Sequence, residues 1–274
     1  MAVELVHTAL LMHDDFMDQD LVRRGGPTTH IHYANRAKGN KHFGESMAVN
    51  AGDAVLCMGY QLLLDCGFEL GPTKEAMDQM LRGIANTAFG QAYDVTLEVM
   101  EEWTEEDVFV LHRAKTAIYT YENPLLIGAI LAELPEGAKK ILSEYSMDGG
   151  IAFQLQDDIL GVFGTEEDTG KSADSDLLQG KCTLLILKTL EMGNKEQKLA
   201  VKKVWGKMEA SRESLDEAKK AIVESGSLDY SRKVAREFAA KAAKTASKLR
   251  KLNLDEEAVD FIQGIAEYMV TRKV

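Results

Sequence analysis

The stretch MAVELVHTALLMHDDFMDQD, residues 1–20, opens the chain with an apolar helical pattern that ends in closely spaced aspartates. Asp14 and Asp18 are four residues apart, a little over one helical turn, so they share one face of the predicted helix. Carboxylates at this spacing repel each other, and apolar surroundings strengthen the repulsion. A cation must offset it, and Mg²⁺, which binds carboxylate oxygens together with substrate phosphates, fits that role.

A second acidic pair, Asp157 and Asp158, occurs in FQLQDDILG, residues 153–161. The neighbouring residues are apolar, which predicts a largely buried helix, and unpaired carboxylates in such a helix are costly. Either acidic cluster alone is compatible with a solvated helix end, because acidic clusters are common. Two such helices in one chain can instead face each other across a cavity and share metal ions, so the two clusters together favour a metal site.

Long helices are predicted for the rest of the chain, because only 4 prolines occur and few β-branched runs stand between turn signals. The predicted helices cover residues 44–64, 74–95, 104–115, 135–160, 181–192, 195–208, 212–224, 228–251 and 254–270. Loops are predicted at RRGGPTTHIHY, residues 23–33, and over residues 161–176. With no repeat or linker in the sequence, residues 1–274 are interpreted as a single all-α domain. The first helix begins without a capping residue, so we expect additional sequence upstream of it.

Composition excludes several classes of protein. The formal net charge of -12 disfavours nucleic-acid binding, which requires a basic surface. Cys57, Cys66 and Cys182 show no metal-ligand spacing, so we interpret them as reduced thiols of a cytoplasmic protein. No run of about 18 apolar residues occurs, so no membrane-spanning helix is expected.

Basic residues occur beside both acidic clusters and in the predicted loops. Arg23 and Arg24 lie in the Gly-rich loop after the first cluster, while Lys115, Lys171 and Lys181 lie at helix ends or in loops. Arginine can contact a phosphate through two parallel hydrogen bonds, and lysine acts as a point charge. These residues are therefore candidates for binding a phosphorylated substrate, although each lysine alone is also compatible with an ordinary surface position.

The motifs DDFMD, RRGGPT, FQLQDDILG and GKCTL occur in an order and spacing in which the sequence resembles the trans-isoprenyl (polyprenyl) diphosphate synthases. The similarity extends over the whole chain and is greatest to short-chain types such as farnesyl and geranylgeranyl diphosphate synthases. It implies an isoprenoid-synthase-type bundle of long helices around a central cavity, usually a homodimer. It also implies a prenyltransferase that condenses an allylic diphosphate with isopentenyl diphosphate into a linear trans-polyprenyl diphosphate.

The resemblance assigns roles residue by residue. The positions it implies for binding three Mg²⁺ ions are Asp14, Asp18, Asp157 and Asp158. Those it implies for binding the two diphosphate substrates are His7, Arg23, Arg24, Lys171 and Lys181. Those it implies for lining the allylic site are Lys115, Thr116 and Gln154. Ala9 and Leu10 match positions at which bulky aromatic residues shorten the product, and their small or aliphatic side chains predict a C20 or longer product. Alternatively, Tyr60 or Phe89 closes the cavity.

Two features depart from the family pattern. Gly161 stands where the second motif often has a third aspartate, and the upstream basic GGKRxRP segment, which binds isopentenyl diphosphate, does not occur in this sequence. The second departure is compatible with a non-catalytic partner subunit of a synthase. A class I terpene cyclase is a further alternative, but its second motif requires a Ser or Thr where Gly161 stands.

Overall fold

The structure is a computed structural model that describes residues 1–100, 102–165 and 174–271. Within this part of the chain, the regular secondary structure is helical, apart from one hairpin formed by β1 (Val22–Arg23) and β2 (Gly26–Pro27). The helices are α1 (Ala2–Met17), α2 (Thr29–Arg36), α3 (Lys41–Leu64), α4 (Leu70–Glu98), α5 (Glu105–Leu111), a π-helix (His112–Glu122), α6 (Asn123–Leu131), α7 (Glu136–Phe163), α8 (Ser175–Gln179), α9 (Leu184–Met192), α10 (Lys195–Val204), α11 (Arg212–Glu224), α12 (Ser227–Ala246), a 3₁₀-helix (Ser247–Leu252) and α13 (Glu256–Thr271). The all-α prediction is confirmed, and the division into a single domain stays a prediction.

The predicted loop over residues 23–33 is wrong in its second half, because α2 begins at Thr29. Two predicted helix ends also differ from the structure. The helix that begins after Thr104 has the expected capping box, in which the Thr104 hydroxyl accepts a hydrogen bond from the Asp107 amide. It does not end near Lys115, because α5 continues directly into the π-helix. The helix of the second acidic cluster runs through Gly161 to Phe163, so the predicted loop begins three residues later than expected.

The hairpin accounts for the RRGGPT motif. Arg24 and Gly25 both have positive φ angles, as a two-residue turn between antiparallel strands requires. The turn reverses the chain directly after the first acidic cluster. Arg23 thereby returns towards α1, while the side chain of Arg24 stays exposed.

Close helix packing positions the π-helix. On α4, a Cβ atom at Gly90 would lie only 2.5 Å from the backbone nitrogen of Lys115, so only glycine allows this approach. The other side of the π-helix packs against α7. Because the π-helix is held between α4 and α7, its side chains at Lys115 and Thr116 reach the space between these helices and α1.

The apolar core lies on two sides of that space. One cluster joins α1, α3, α4 and the π-helix through residues such as Val6, Met80 and Tyr119. A larger cluster joins α5, α7 and the helices after α8, with Ile159 and Leu185 among its members. Burial of these side chains fixes the helices that carry the two acidic clusters relative to each other.

Helix α3 has an unusual exposure. By length and composition alone, α3 is long and apolar enough to cross a membrane. No other helix within the described ranges meets this criterion. Only 22% of the 18-residue apolar window of α3 is buried. Core helices of soluble proteins pass the same test. The sequence-based prediction that no helix spans a membrane therefore stays a prediction.

Candidate active site

A cavity of about 590 Å³ lies between α1, α4, the π-helix and α7. Asp14 and Asp157, from the two acidic clusters, both line it. The other predicted site residues that line it are His7, Leu10, Asp18, Arg23, Arg24, Lys115, Thr116, Gln154, Asp158 and Lys181. The fold therefore gathers residues that are up to 174 positions apart in the sequence around a single cavity.

Two lysines bridge the carboxylates of the first cluster. The Lys115 ammonium lies 3.1 Å from Asp14 Oδ1 and 3.7 Å from Asp18 Oδ2. The Lys181 ammonium lies 3.0 Å from Asp18 Oδ2. Both ammonium groups also contact Asp94 of α4, at 2.7 and 3.2 Å. One positive group can thus be shared by carboxylates from α1 and α4.

This charge network shifts several pKa values. Burial would raise the pKa of the Asp18 carboxyl, but the ammonium groups of Lys115 and Lys181 outweigh it and lower that pKa to about 2. The same balance lowers the pKa of Asp94. Burial would lower the pKa of Lys115, but the surrounding aspartates raise it well above its ordinary value. All these groups are therefore charged at neutral pH.

Three functional candidates on α4 were missed by the sequence interpretation. Gln91 donates a 2.9 Å hydrogen bond to Asp18 Oδ1, and Glu98 accepts one of 2.8 Å from Lys181. Carboxylate oxygens of Asp18, Asp94 and Glu98 lie within 4.8 Å of one another. The only sequence signal was their spacing of three and four residues, which places them on one helical face but is also common on solvated helices.

Arg23 lines the cavity and is hydrogen-bonded to Asp15 and Asp20, while Asp14 Oδ2 lies farther away, at 3.9 Å. Its guanidinium donates hydrogen bonds to Asp15 and to Asp20, the first of them through Nε at 2.8 Å. Burial raises the pKa of Asp15 even though Arg23 opposes this effect. The middle aspartate of DDFMD thus orients an arginine and does not stand beside Asp14 and Asp18 on the lysine-bridged face.

The second cluster belongs to a chain of polar contacts across α7 and the π-helix. The Thr116 hydroxyl donates a 2.6 Å hydrogen bond to Gln154 Oε1, and Gln154 Nε2 donates one of 3.0 Å to Asp158 Oδ1. The other oxygen of Asp158 lies 3.2 Å from Nε2 of the buried His112. Asp157 is half-buried and lines the cavity. His112 was not a sequence-based candidate, because a lone histidine carries no pattern.

Tyr119, an aromatic residue that the sequence did not indicate, also lines the cavity. The Tyr119 ring stacks on His7, with centroids 6.1 Å apart, and its hydroxyl donates a hydrogen bond to the Val3 carbonyl. Burial lowers the pKa of His7, which keeps its ring neutral at neutral pH.

Three of the predicted chain-length positions are not in the cavity wall. Leu10 lines the cavity, but Ala9 is fully buried and is absent from the described residues that line it. Phe89 is 75% exposed, so the expectation that it plugs the cavity is wrong. Tyr60 packs in the apolar cluster around Tyr119, outside that lining. Lys171 lies outside the described residues, so its predicted role is not tested.

The donor set fits a hard divalent cation. The cavity lining from α1, α4 and α7 includes the carboxylates of Asp14, Asp94, Asp157 and Asp158, whose oxygens are ligands that magnesium prefers. The two lysine ammonium groups already occupy positions between these carboxylates, which shows that a shared cation is accommodated there. Asp14, Asp18, Asp157 and Asp158 all line the cavity and are the residues that could hold such ions.

Comparisons of the sequence and the fold identify related proteins. Residues 1–222 match the sequence profile described as polyprenyl synthetase. The chain is 32% identical to the geranylgeranyl diphosphate synthase of Sulfolobus acidocaldarius, over 99% of this chain and 79% of the relative. It is 33% identical to the geranylfarnesyl diphosphate synthase of Aeropyrum pernix, over 99% of this chain and 81% of that relative. The fold is similar to that of a geranylgeranyl pyrophosphate synthase from Corynebacterium glutamicum, crystallised with isoprenyl diphosphate and magnesium, with a TM-score of 0.92. The two sequences are 28% identical, and the match covers 99% of this chain and 78% of that one.

Proposed function

The chain belongs to the polyprenyl synthetase family, and we propose that it lengthens an allylic diphosphate by adding isopentenyl diphosphate. The class of reaction follows from the family and from relatives that make geranylgeranyl and geranylfarnesyl diphosphate, so the chain is a trans-prenyltransferase. One observation carries the proposal for the site: Asp14 and Asp157, from separate helices, face the same cavity together with Arg23 and two lysines.

Magnesium is the proposed cofactor, and three ions are the expected number. Asp14 and Asp18 would hold ions on the α1 side, and Asp157, with Asp158 beside it, would hold one on the α7 side. Bound in this way, magnesium would supply Lewis-acid stabilisation of the diphosphate leaving group. The carboxylates that line the cavity, and the ammonium groups that they share, support this assignment.

Each side chain of the site has a proposed role in the reaction. When the allylic C–O bond breaks, negative charge develops on the diphosphate, and Arg23, Lys115 and Lys181 would stabilise it from fixed positions. Lys171 is proposed to bind the same diphosphate. The hydrogen-bonded oxygens of Thr116 and Gln154, 2.6 Å apart, would lie beside the carbocation. The apolar inner cavity excludes water that would otherwise trap the cation.

Isopentenyl diphosphate would be positioned by Arg24 and His7. Its double bond attacks the carbocation and forms the new C–C bond, and the departing diphosphate accepts the proton that is then released. Because His7 is neutral and stacked on Tyr119, it can donate a hydrogen bond without adding charge near the carbocation. A product near C20 is proposed, with Leu10 and Tyr119 as the walls that stop growth.

A cytoplasmic homodimer is the proposed assembly. Helices α3 and α4 both carry large apolar side chains that are exposed, including Met58 on α3 and Phe89 on α4. A second copy of the chain would cover them. Sedimentation in detergent-free buffer should give twice the chain mass, whereas a monomer that binds lipid vesicles would support a membrane-facing role for α3.

The function is tested by incubating the chain with Mg²⁺, labelled isopentenyl diphosphate and a series of allylic diphosphates. Elongated linear products support the synthase, and Asp14→Asn should abolish them. The exposed variant Asp78→Asn serves as a control and should retain full activity. Cyclic hydrocarbon formed from an allylic diphosphate alone would support a cyclase. Activity that appears only after an active synthase is added would support a partner subunit.

A further inference from the structure

Lys181, which the proposed function assigns to the allylic diphosphate, lies outside the helices. It stands between the end of α8 at Gln179 and the start of α9 at Leu184, so its backbone belongs to neither helix. Its ammonium group nevertheless has a defined position, 3.0 Å from Asp18 Oδ2. The connection that carries Lys181 therefore needs support from another part of the fold.

Local hydrogen bonds shape this connection, and a further one ties it to α10. The Lys181 amide donates to the Asp176 carbonyl, and the Lys181 carbonyl accepts from the Thr183 amide, both at 3.0 Å. These two bonds lie within the segment itself. The indole Nε1 of Trp205, the residue that follows α10, donates a 3.1 Å hydrogen bond to the same carbonyl. Trp205 thus anchors the Lys181 peptide to a different helix.

Two glycines let the end of α10 approach this segment closely. The Gly206 amide donates a 2.9 Å hydrogen bond to the Leu177 carbonyl in α8. A Cβ atom on Gly180 would lie 3.1 Å from the Cα atom of Gly206, tighter than most contacts of a real Cβ atom. Gly180 also has a φ of +82°, which glycine adopts readily, so it ends α8 directly before Lys181. This approach brings the indole of Trp205 within reach of the Lys181 carbonyl.

Trp205 packs against the other tryptophan of the chain. The sequence has two tryptophans, and the centroids of their rings lie 5.1 Å apart. Trp103 is 9% exposed and belongs to the larger apolar cluster, against which Trp205 packs. Within the described part of the chain, Nε1 of Trp103 has no hydrogen-bond partner, whereas that of Trp205 has the Lys181 carbonyl. The two rings therefore share a packing contact and differ in this hydrogen bond.

We propose that Trp205 is a positioning residue for the allylic diphosphate: by fixing the Lys181 peptide, it sets where the ammonium group meets the substrate. Trp205 is not among the described residues that line the cavity, so it acts through Lys181 and does not touch the substrate. This inference rests on the proposed function, because it requires that Lys181 binds the allylic diphosphate. The group that carries the role is the indole N–H, since the ring by itself provides packing alone.

The test removes the N–H donor and keeps an aromatic ring. Trp205→Phe should raise the KM for the allylic diphosphate by about fivefold, the effect of one net hydrogen bond, and leave the KM for isopentenyl diphosphate unchanged. The matched control is Trp103→Phe, which alters the same pair of rings but breaks no hydrogen bond, so both KM values should stay native. Equal rises in the two variants would show that packing alone matters and would overturn the inference.

A second replacement keeps the test decisive if Trp205→Phe does not fold. Benzothienylalanine at residue 205 has the two-ring shape of tryptophan, with sulfur in place of the N–H group, so packing against Trp103 is retained. It should raise the KM for the allylic diphosphate to the same extent. A native KM with this residue would contradict the proposal, because the donor would then be dispensable.

A double-mutant cycle with Lys181 separates this inference from the proposed function. Lys181→Met should raise the KM for the allylic diphosphate at least as much as Trp205→Phe, and the double variant Trp205→Phe/Lys181→Met should show no further rise. A further rise of the same size would mean that Trp205 acts independently of Lys181, and the positioning role would be lost. A raised KM in Lys181→Met beside a native value in Trp205→Phe would reject it as well. An unchanged KM in Lys181→Met would instead reject the role of Lys181 in the proposed function, and the role of Trp205 with it.

Discussion

The ammonium group of Lys115 lies 3.1 Å from the carboxylate of Asp14, on the opposite wall of the cavity. The same ammonium group lies 2.7 Å from Asp94. A lysine of the π-helix thus compensates the charge of carboxylates from both α1 and α4, and this relationship connects the stability of the fold to the chemistry of the site.

Lys115→Met should destabilise the metal-free protein. The substitution leaves Asp14, Asp18 and Asp94 with less compensation, and breaking a buried ion pair is strongly destabilising. We expect a loss of about 2 kcal/mol, reduced from the fully buried case because part of the Lys115 side chain stays exposed. Urea unfolding in the presence of EDTA measures it. Lys203→Met, which removes an exposed pair with Glu217, should change stability by less than about 0.5 kcal/mol. Equal losses in both variants would contradict the network.

The acid stability of the metal-free protein should depend on Lys181. The folded-state pKa of Asp18 is about 2, below its ordinary value of 3.8. A depressed pKa stabilises the fold above the unfolded-state value, and that stability is lost as the pH falls from near 4 towards 2. Removing the Lys181 ammonium raises the pKa of Asp18, so Lys181→Met should unfold at higher pH. Helical circular dichroism followed between pH 5 and pH 1.5 gives the midpoint. A midpoint equal to that of the native chain would count against the coupling.

Tyr119→Ala should lengthen the product. Tyr119 lines the cavity and also packs in the apolar cluster of Val6 and Met80, so its removal should open space from the cavity towards that cluster. Chromatography of the hydrolysed products should show a shift to longer chains, whereas Leu10→Phe should shift them to shorter ones. Ala9→Phe, expected from the sequence alone to shorten the product, now serves as the comparison. Because Ala9 is fully buried, this change should mainly lower the free energy of unfolding. A shorter product from Ala9→Phe together with an unchanged product from Tyr119→Ala would reject the wall assignment.

Thr116→Val should slow the chemical step with little effect on substrate binding. Valine keeps the shape of threonine but cannot donate the 2.6 Å hydrogen bond that orients Gln154. We expect kcat to fall by about tenfold, the loss of one positioned dipole near developing charge, with KM values within about twofold. The control is Thr189→Val, a buried hydroxyl that donates to the Leu185 carbonyl inside α9. If the two variants retain the same kcat, Thr116 has only a packing role.

The sequence predicted those parts of the site that lie within single helices. A spacing of four residues fixes Asp14 and Asp18 on one face, and the FQLQDDILG motif identified Asp157 and Asp158, because helical geometry is local and repeats every 3.6 residues. For Ala9, assigned by the family resemblance, and Phe89, named as an alternative plug, no local spacing indicates where the side chain lies. Which face of a helix points to a cavity depends on the neighbouring helices, and here Ala9 is buried away from the cavity while Phe89 is exposed.

By itself, then, the sequence determined that the chain is helical, that two helices carry aspartates at metal-binding spacing, and that basic residues follow them. Only the tertiary structure decided that Asp14 and Asp157 share a cavity, that Asp94 joins them, and that Trp205 reaches the Lys181 carbonyl. Contacts between helices arise from burying apolar side chains far apart in the chain, and no local spacing encodes the distance that results.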